Sequence, residues 1–308
     1  MKSEREKTIS KKRGDENSLT PNSSRLSPQG ALFIVATPIG NLEDITFRAV
    51  RTLREADLIA AEDTRHSRKL LTHYGISRPL TSYFDHNKEF KGNYILEKLR
   101  EGLKVALISD AGTPCISDPG YQLVRDALAV GIEVVPIPGP CAAIAALSAA
   151  GLPTDRFAYE GFLPSRQGKR REKLIRVKGE ERVVVFYETS NRLRAALDDI
   201  MELFGEREIV IARELTKIHE EFLKGTPSQV LAELKERRIR GEVVLLVAPA
   251  TGLETGLDLS VSDLLRKYIE SDGLSMKDAV KLAALETGLP RGEVYAEALS
   301  IKSLSVNS

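Results

Sequence analysis

The sequence predicts an α/β protein of two domains, a parallel-sheet domain followed by a mixed-sheet domain, with a small helical unit at its carboxyl end. Three observations carry that prediction. Between residues 31 and 151, short apolar runs alternate with amphipathic stretches, and glycine or proline punctuates each change. Beyond Asp155 the strands crowd together, as in an α+β domain. From Val261 to Leu299 apolar residues recur at helical spacing only. The expected boundaries are a polar tail over 1–29, an α/β domain over 30–152, an α+β domain over 153–250 and a helical unit over 260–302.

Composition narrows the class. A chain of 308 residues, 42% apolar, has room for more than one core. A formal net charge of +1 gives no overall electrostatic preference, so charge matters by patches. Residues 1–29 have only Met1, Ile9, Leu19 and Leu26 as apolar anchors and are expected to be disordered. Two cysteines, Cys115 and Cys141, stand at turns without a disulfide framework, and no secretory pattern is present, so a reduced, cytoplasmic protein is expected. Apolar runs stop well short of the roughly 20 residues of a membrane span. The histidines at 66, 73, 86 and 219 have no metal-ligand spacing, and no metal is expected.

The elements follow in order. Ala31–Ala36 reads as a strand emptying into the polar loop 37–44, with Asp44 expected to cap a helix running to Ala56. Leu58–Ala61 is a strand ending in Glu62-Asp63-Thr64-Arg65, and the helix after it stops at Gly75. Leu80–Phe84 is followed by a helix to Gly102. The run Val105–Ile108 reads as a strand buried on both faces. It delivers the polar loop 109–120, whose Asp118-Pro119 is expected to open the next helix as N-cap and first helical residue. That helix stops at Gly131; strand 132–137 leads to Pro138-Gly139-Pro140 and an alanine-rich helix closing at Gly151. Four loops then share the carboxyl edge of one parallel sheet, where ligands bind. Neither G-x-G-x-x-G after a strand nor G-x-x-x-x-G-K-[ST] occurs, which excludes the dinucleotide and Walker-type sites.

In the second half, strands are expected at 157–162, 183–187, 209–212, 220–223 and 243–247, with a helix carrying Leu193, Leu197, Ile200 and Leu203 to Gly205 and another near 230–237. The segment 166–178 carries seven bases against Glu172, and reads as either a nucleic-acid surface or a solvated helix face. After a linker at 251–259, helices over 262–270 and 276–286, a turn at Gly288 and a third helix from Gly292 suggest either a helix-turn-helix reader or a helical lid on the body.

Ala36-Thr37-Pro38-Ile39-Gly40-Asn41-Leu42, Ala61-Glu62-Asp63-Thr64-Arg65, the loop Ser109–Gly120 and Pro138-Gly139-Pro140 together resemble the tetrapyrrole methylase superfamily. Phe186-Tyr187-Glu188, Ala212-Arg213-Glu214-Leu215-Thr216-Lys217 and Gly241-Glu242 extend the resemblance, most closely to its branch acting on small-subunit ribosomal RNA as cytidine 2′-O-methyltransferases. The sequence departs from that branch at Phe84 and Lys88, and at Asn191, where histidine is usual. The resemblance implies S-adenosylmethionine between the two domains. It would be held by Pro38, Asp110, Ala111, Gly112, Thr113, Ile116, Ser117, Cys141, Ala142, Tyr187 and Ala212, with Cys141 a packing residue rather than a nucleophile. It further implies 16S ribosomal RNA of the small subunit, in its decoding region, as partner, and a homodimer.

Methyl transfer from a sulfonium to a sugar hydroxyl needs alignment and a proton acceptor. Glu62, Asp63, His86 and Glu188 are the candidates, in strand-end loops. Arg65, Arg166, Lys169, Arg170, Arg171, Lys173, Arg192, Arg213 and Lys217 are the candidates for RNA phosphates. Two other readings stand beside this one. The first is a methylase of a porphyrin-type small molecule; the second is a non-catalytic RNA-binding module, which needs no sulfonium donor.

Overall fold

The structure, a computed structural model, describes residues 30–84, 88–235, 237, 241–251 and 260–305. The expected tail over 1–29, His86 and most of the 251–259 linker lie outside the described residues.

The first sheet contains β1 (Ala31–Val35), β2 (Leu58–Ala61), β3 (Leu80–Ser82), β4 (Val105–Ile108) and β5 (Glu133–Ile137). Its order is β3-β2-β4-β1-β5, all parallel. All four residues of β4 are buried, as its apolar run demands, while β5, which holds Pro136, lies at the edge. From β1 the chain turns toward β2, and from β4 it crosses to β5. The crevice between the carboxyl ends of β1 and β4 is therefore the switch point at which open α/β sheets bind ligands.

One face of this sheet is covered by α1 (Phe47–Glu55) and α2 (Thr64–His73), through Ala49, Leu53 and Leu71. The other is covered by α3 (Lys88–Arg100) and α4 (Tyr121–Ala129), through Ile95, Leu99, Leu123 and Ala127. Two capping expectations are corrected. Asp44 ends a 3₁₀ turn over Leu42–Asp44, and α1 is capped instead by Thr46, whose side chain accepts from the amide of Ala49. The helix after the central loop begins at Tyr121, with Gly120 at the N-cap, so Asp118-Pro119 belongs to the loop. The local pattern lost because the Asp118 carboxylate is drawn inward to Ser109.

The second sheet contains β6 (Phe157–Phe162), β7 (Val183–Thr189), β8 (Ile209–Arg213), β9 (Glu221–Gly225) and β10 (Glu242–Val247) in the order β6-β7-β10-β8-β9. β6 runs parallel to β7, and the other pairings are antiparallel. Helix α5 (Ala142–Ala149) is the joint between domains. It follows the first sheet but buries Ala143, Ala146 and Leu147 against Val183, Val185, Val210 and Val244 of the second. This apolar seam fixes the width of the cleft.

The opposite face of the second sheet packs on α6 (Gln167–Arg176), α7 (Ser190–Phe204) and α8 (Pro227–Leu234). The carboxyl-terminal unit comprises α9 (Val261–Arg266), extended by a π-helical turn over Lys267–Ser271, then α10 (Met276–Thr287) and α11 (Arg291–Ser305). Its Leu265, Tyr268, Ala279, Ala283, Val294 and Ala298 share one core with α6 and α7. The unit is thus part of the body.

Polar groups reinforce the packing of this unit on α6 and α7 and correct the reading of the basic segment. Arg170 and Arg171 are 4% and 0% exposed. Arg170 Nε donates to Asp199 at 2.6 Å, and Arg171 Nη1 lies 2.5 Å from Glu202, 3.5 Å from Asp199 and 3.7 Å from Asp272, with its guanidinium 5.3 Å from the Tyr268 ring. Lys173 is held by Glu160, and Arg176 pairs with Glu172, which also takes Lys281 of α10. Arg170 and Arg171 therefore offer no charge to a polyanion. Desolvating an ion pair is repaid only by such close, multiple hydrogen bonds, and breaking one partner costs about 3–5 kcal/mol.

Candidate active site

The site grows from the two loops that leave β1 and β4. Thr37 and Gly112 exchange backbone hydrogen bonds, 2.9 and 3.0 Å long, which lock the loops side by side. Gly112 holds φ +84°, and Cys115 and Ser117 hold φ +72° and +61°, unusual values for residues with side chains. Other contacts keep this loop in place. The Thr113 hydroxyl donates to the Pro140 carbonyl at 3.0 Å, the hydroxyls of Ser117 and Tyr159 are 2.6 Å apart, and the amide of Asp63 donates to Asp110 at 3.0 Å. Backbone strain held by surrounding bonds marks sites where geometry matters more than stability. At the rim the two domains touch at Gly40, where a Cβ would fall 2.8 Å from the Leu215 carbonyl and 2.8 Å from the Thr216 hydroxyl.

Between the domains lies a cavity of about 260 Å³. Of the candidate residues, Asp110, Ala111, Gly112, Thr113, Ile116, Ser117, Cys141, Ala142, Tyr187, Ala212, Glu62, Glu188 and Lys217 line it. Pro38 is buried beneath, and its neighbour Ile39 forms the wall. Asp63 is outside, because its carboxylate is spent capping α2 on the amides of Arg65 and His66. Arg192 lies behind the wall and Arg213 pairs with Glu221 at 2.5 Å. Arg166 and Lys169 are exposed on α6, away from the cavity wall.

Sequence reasoning missed Ile39, Asp118, Phe162, Glu214 and Glu242 as wall residues. Glu242 opens β10 directly after Gly241, within a quoted motif, so it was within reach. Asp118 was hidden by its resemblance to a helix cap.

Charge gives the cavity its chemistry. Six carboxylates line it (Glu62, Asp110, Asp118, Glu188, Glu214 and Glu242), against the single ammonium of Lys217, itself 3.0 Å from Glu214. Burial, with Asp110 and Glu242 nearby, pushes the Asp118 carboxyl up to about 6 although Ser109 hydrogen-bonds to it. Glu188 is 0% exposed. Its Oε1 takes Arg192 at 2.6 Å and the amide of Thr189 at 2.7 Å, while its buried Oε2 has no hydrogen-bond partner. The Tyr187 ring stands edge-on to Tyr159 and Phe162, with centroids 5.2 and 5.5 Å away. Its hydroxyl accepts from the amide of Ala143 at the start of α5, and burial raises the phenol above its usual value. Burial also pushes the Cys115 thiol up to about 11, so it stays protonated. Such a cavity accepts a cation with a flat apolar part, and repels phosphate.

A family model described as Tetrapyrrole (Corrin/Porphyrin) Methylases matches residues 31–231, and a second, described as the RsmI C-terminal HTH domain, matches 257–302. The chain belongs to the tetrapyrrole methylases. Within that family it is 50% identical over 282 residues to the ribosomal RNA small subunit methyltransferase I of Pseudomonas aeruginosa, covering 88% of this chain and 97% of that one. The protein of that name from Escherichia coli O157:H7 is 49% identical over 274 residues, covering 88% and 95%. Among solved tetrapyrrole methylase-like folds, diphthine synthase aligns at TM-score 0.57 with 14% identity, over 71% of this chain and 90% of that one. Uroporphyrin-III-C-methyltransferase from Thermus thermophilus aligns at TM-score 0.53 with 21% identity, over 73% and 97%. These two establish the fold alone.

Methylases of this family use S-adenosylmethionine, and the residues present fit it. Its sulfonium and ammonium match the acidic wall, and its adenine matches the slot beside Tyr187 and Phe162. Among the described residues no cluster of three His, Cys, Asp or Glu is arranged for a metal, and no helix is long and apolar enough to cross a membrane.

Proposed function

We propose that this chain methylates small-subunit ribosomal RNA, and that the acceptor is the ribose 2′-hydroxyl of a cytidine in the decoding region of 16S RNA. Support comes first from near-full-length similarity to proteins named ribosomal RNA small subunit methyltransferase I. The observation in the structure that carries the reading is the cavity's charge, six carboxylates against one ammonium. S-adenosylmethionine supplies an electrophilic methyl that needs no further activation. The protein's work is then alignment and proton removal.

Asp110–Thr113, Ile116, Ser117, Cys141, Ala142, Tyr187 and Ala212 are the residues proposed to hold the cofactor. Glu62 and Glu188 are the carboxylates in the wall proposed to take the hydroxyl proton. Arg192 fixes Glu188 through Oε1, which leaves Oε2 free to accept. Phosphates stay outside so acidic a cavity, and only a neutral ribose edge enters. The same charge disfavours a tetrapyrrole ringed by carboxylates. A cytoplasmic homodimer belongs to this proposal: Phe47 and Ile218, 97% and 98% exposed, are apolar side chains that a second copy would cover. Sedimentation at micromolar concentration reads that part, and a monomer refutes it.

The test of the reaction is transfer of a labelled methyl from the cofactor, with small subunits lacking the modification and uroporphyrinogen offered in parallel. Label in the RNA alone is expected. Label in the tetrapyrrole alone, or in neither, overturns the proposal.

A further inference from the structure

The basic segment at 166–178 is largely consumed in ion pairs, so the protein's accessible positive charge must be sought elsewhere. It lies on the first domain. Helices α1 and α2 cover the same sheet face and both begin at the cleft edge, after the carboxyl ends of β1 and β2. Arg48, Arg51, Arg65, Arg68 and Lys69 are all exposed on these two helices, and Arg78 is exposed on the loop that returns to β3. Arg68 and Arg78 border an open groove that runs along the end of α2 and that loop.

Two physical features separate these cations from ordinary solvated ones. First, of these six cations only Arg65 has a carboxylate of the described residues within 4 Å, its near neighbour Asp63 at 3.5 Å, and its side chain is still 91% exposed. On α6, by contrast, Arg170, Arg171, Lys173 and Arg176 are all paired. Second, Arg48 and Arg51 stand within or just beyond the first turn of α1, which has no acid there and a neutral threonine cap, so the helix dipole disfavours their charge; at α2 the Asp63 cap offsets it. An external polyanion would reverse that unfavourable arrangement.

We infer that the α1–α2 face, with the Arg68–Arg78 groove, is the surface that binds the RNA phosphate backbone. The inference rests on RNA as the substrate. It assigns the phosphates to a basic surface beside the cavity while the acidic cavity admits only the sugar edge. Of the cations expected from the sequence to hold RNA, only Arg65 belongs to this surface.

The experiment compares Arg68→Gln/Lys69→Gln/Arg78→Gln with Arg166→Gln/Lys169→Gln on α6, both sets being exposed. Filter binding of a small-subunit RNA fragment over a range of salt is measured, with cofactor affinity read separately by calorimetry. The first variant should lower the slope of log affinity against log salt by about 2–3 and weaken binding about 10- to 100-fold. Cofactor affinity should stay unchanged, and the α6 variant should resemble the parent. An unchanged slope in the first variant, an equal loss in the α6 variant, or no RNA binding by the parent overturns the inference. Because binding is scored without methyl transfer, the surface is tested even if the methyl proves to land elsewhere.

Discussion

Replacing Arg171 by methionine separates two accounts of the basic segment. In the structure this guanidinium is 0% exposed and stands among Glu202 at 2.5 Å, Asp199 at 3.5 Å and Asp272 at 3.7 Å. Methionine fills similar volume but leaves three carboxylates with Arg170 and Lys267 as their remaining cations. Breaking a buried pair on one side costs about 3–5 kcal/mol, which for a chain this size lowers Tm by order 10 °C. The pH dependence gives an independent reading. Against burial, which pushes it up, the Arg171 guanidinium and Lys267 hold the Glu202 carboxyl down to about 2, from the usual 4.5. A carboxyl depressed in the folded state stabilises fully above 4.5, and that contribution is lost as pH falls toward 2. The variant should therefore show a shallower loss of stability over that window. The assay is thermal unfolding from pH 2 to 8, beside calorimetric titration with S-adenosylmethionine, whose affinity should be preserved in the folded variant. A Tm within roughly 2 °C of the parent, with weakened RNA binding instead, would refute the reasoning.

Two further perturbations address the cavity. Gly112→Val places a β-branched residue at φ +84°, with its Cβ 3.4 Å from Ile39; the loop must relax, and cofactor Kd should rise about tenfold or more on calorimetry while the fold persists. Unchanged affinity removes Gly112 from the site. Asp118 has its carboxyl at about 6, so a bound cation should expel its proton, and affinity for the cofactor should fall by up to about tenfold for each pH unit below 6 and level off above it. Because that carboxyl is raised on folding, its ionisation opposes folding increasingly as pH climbs from 3.8 to about 6. Asp118→Asn should therefore raise Tm at pH 7, lower cofactor affinity and flatten its pH profile. A variant with the parent's pH profile contradicts this role.

Much of this was legible in the sequence because it is local. A run such as Val105–Ile108 has one stable use, a strand buried on both faces, and the polar loop after it had to emerge at the sheet edge. The residues of that loop reached the cavity as expected. What stayed hidden depends on partners distant in the chain. Arg170 and Arg171 read as solvated charge because Asp199, Glu202 and Asp272 lie on other elements, and only packing brings them together. Asp118 followed a local capping rule until burial beside Ser109 overrode it. Of the α1–α2 cations only Arg65 was singled out, because the rest are spread over two separate segments and only the folded helices gather them on one surface. Of the phosphate-binding candidates that density of charge singled out, Arg170, Arg171 and Lys173 are therefore spent in ion pairs, while Arg166 and Lys169 stay exposed.

The claim at the centre is that the methyl lands on a ribose oxygen of the RNA. A 2′-O-methyl ribose resists alkaline cleavage at the adjoining phosphate, because the internal nucleophile is gone, whereas a base methyl leaves cleavage intact. Small subunits lacking the modification, incubated with the protein and labelled S-adenosylmethionine and then hydrolysed in alkali, should yield the label in an uncleaved dinucleotide whose 5′ member is cytidine from the decoding region. Label released in mononucleotides would contradict the account.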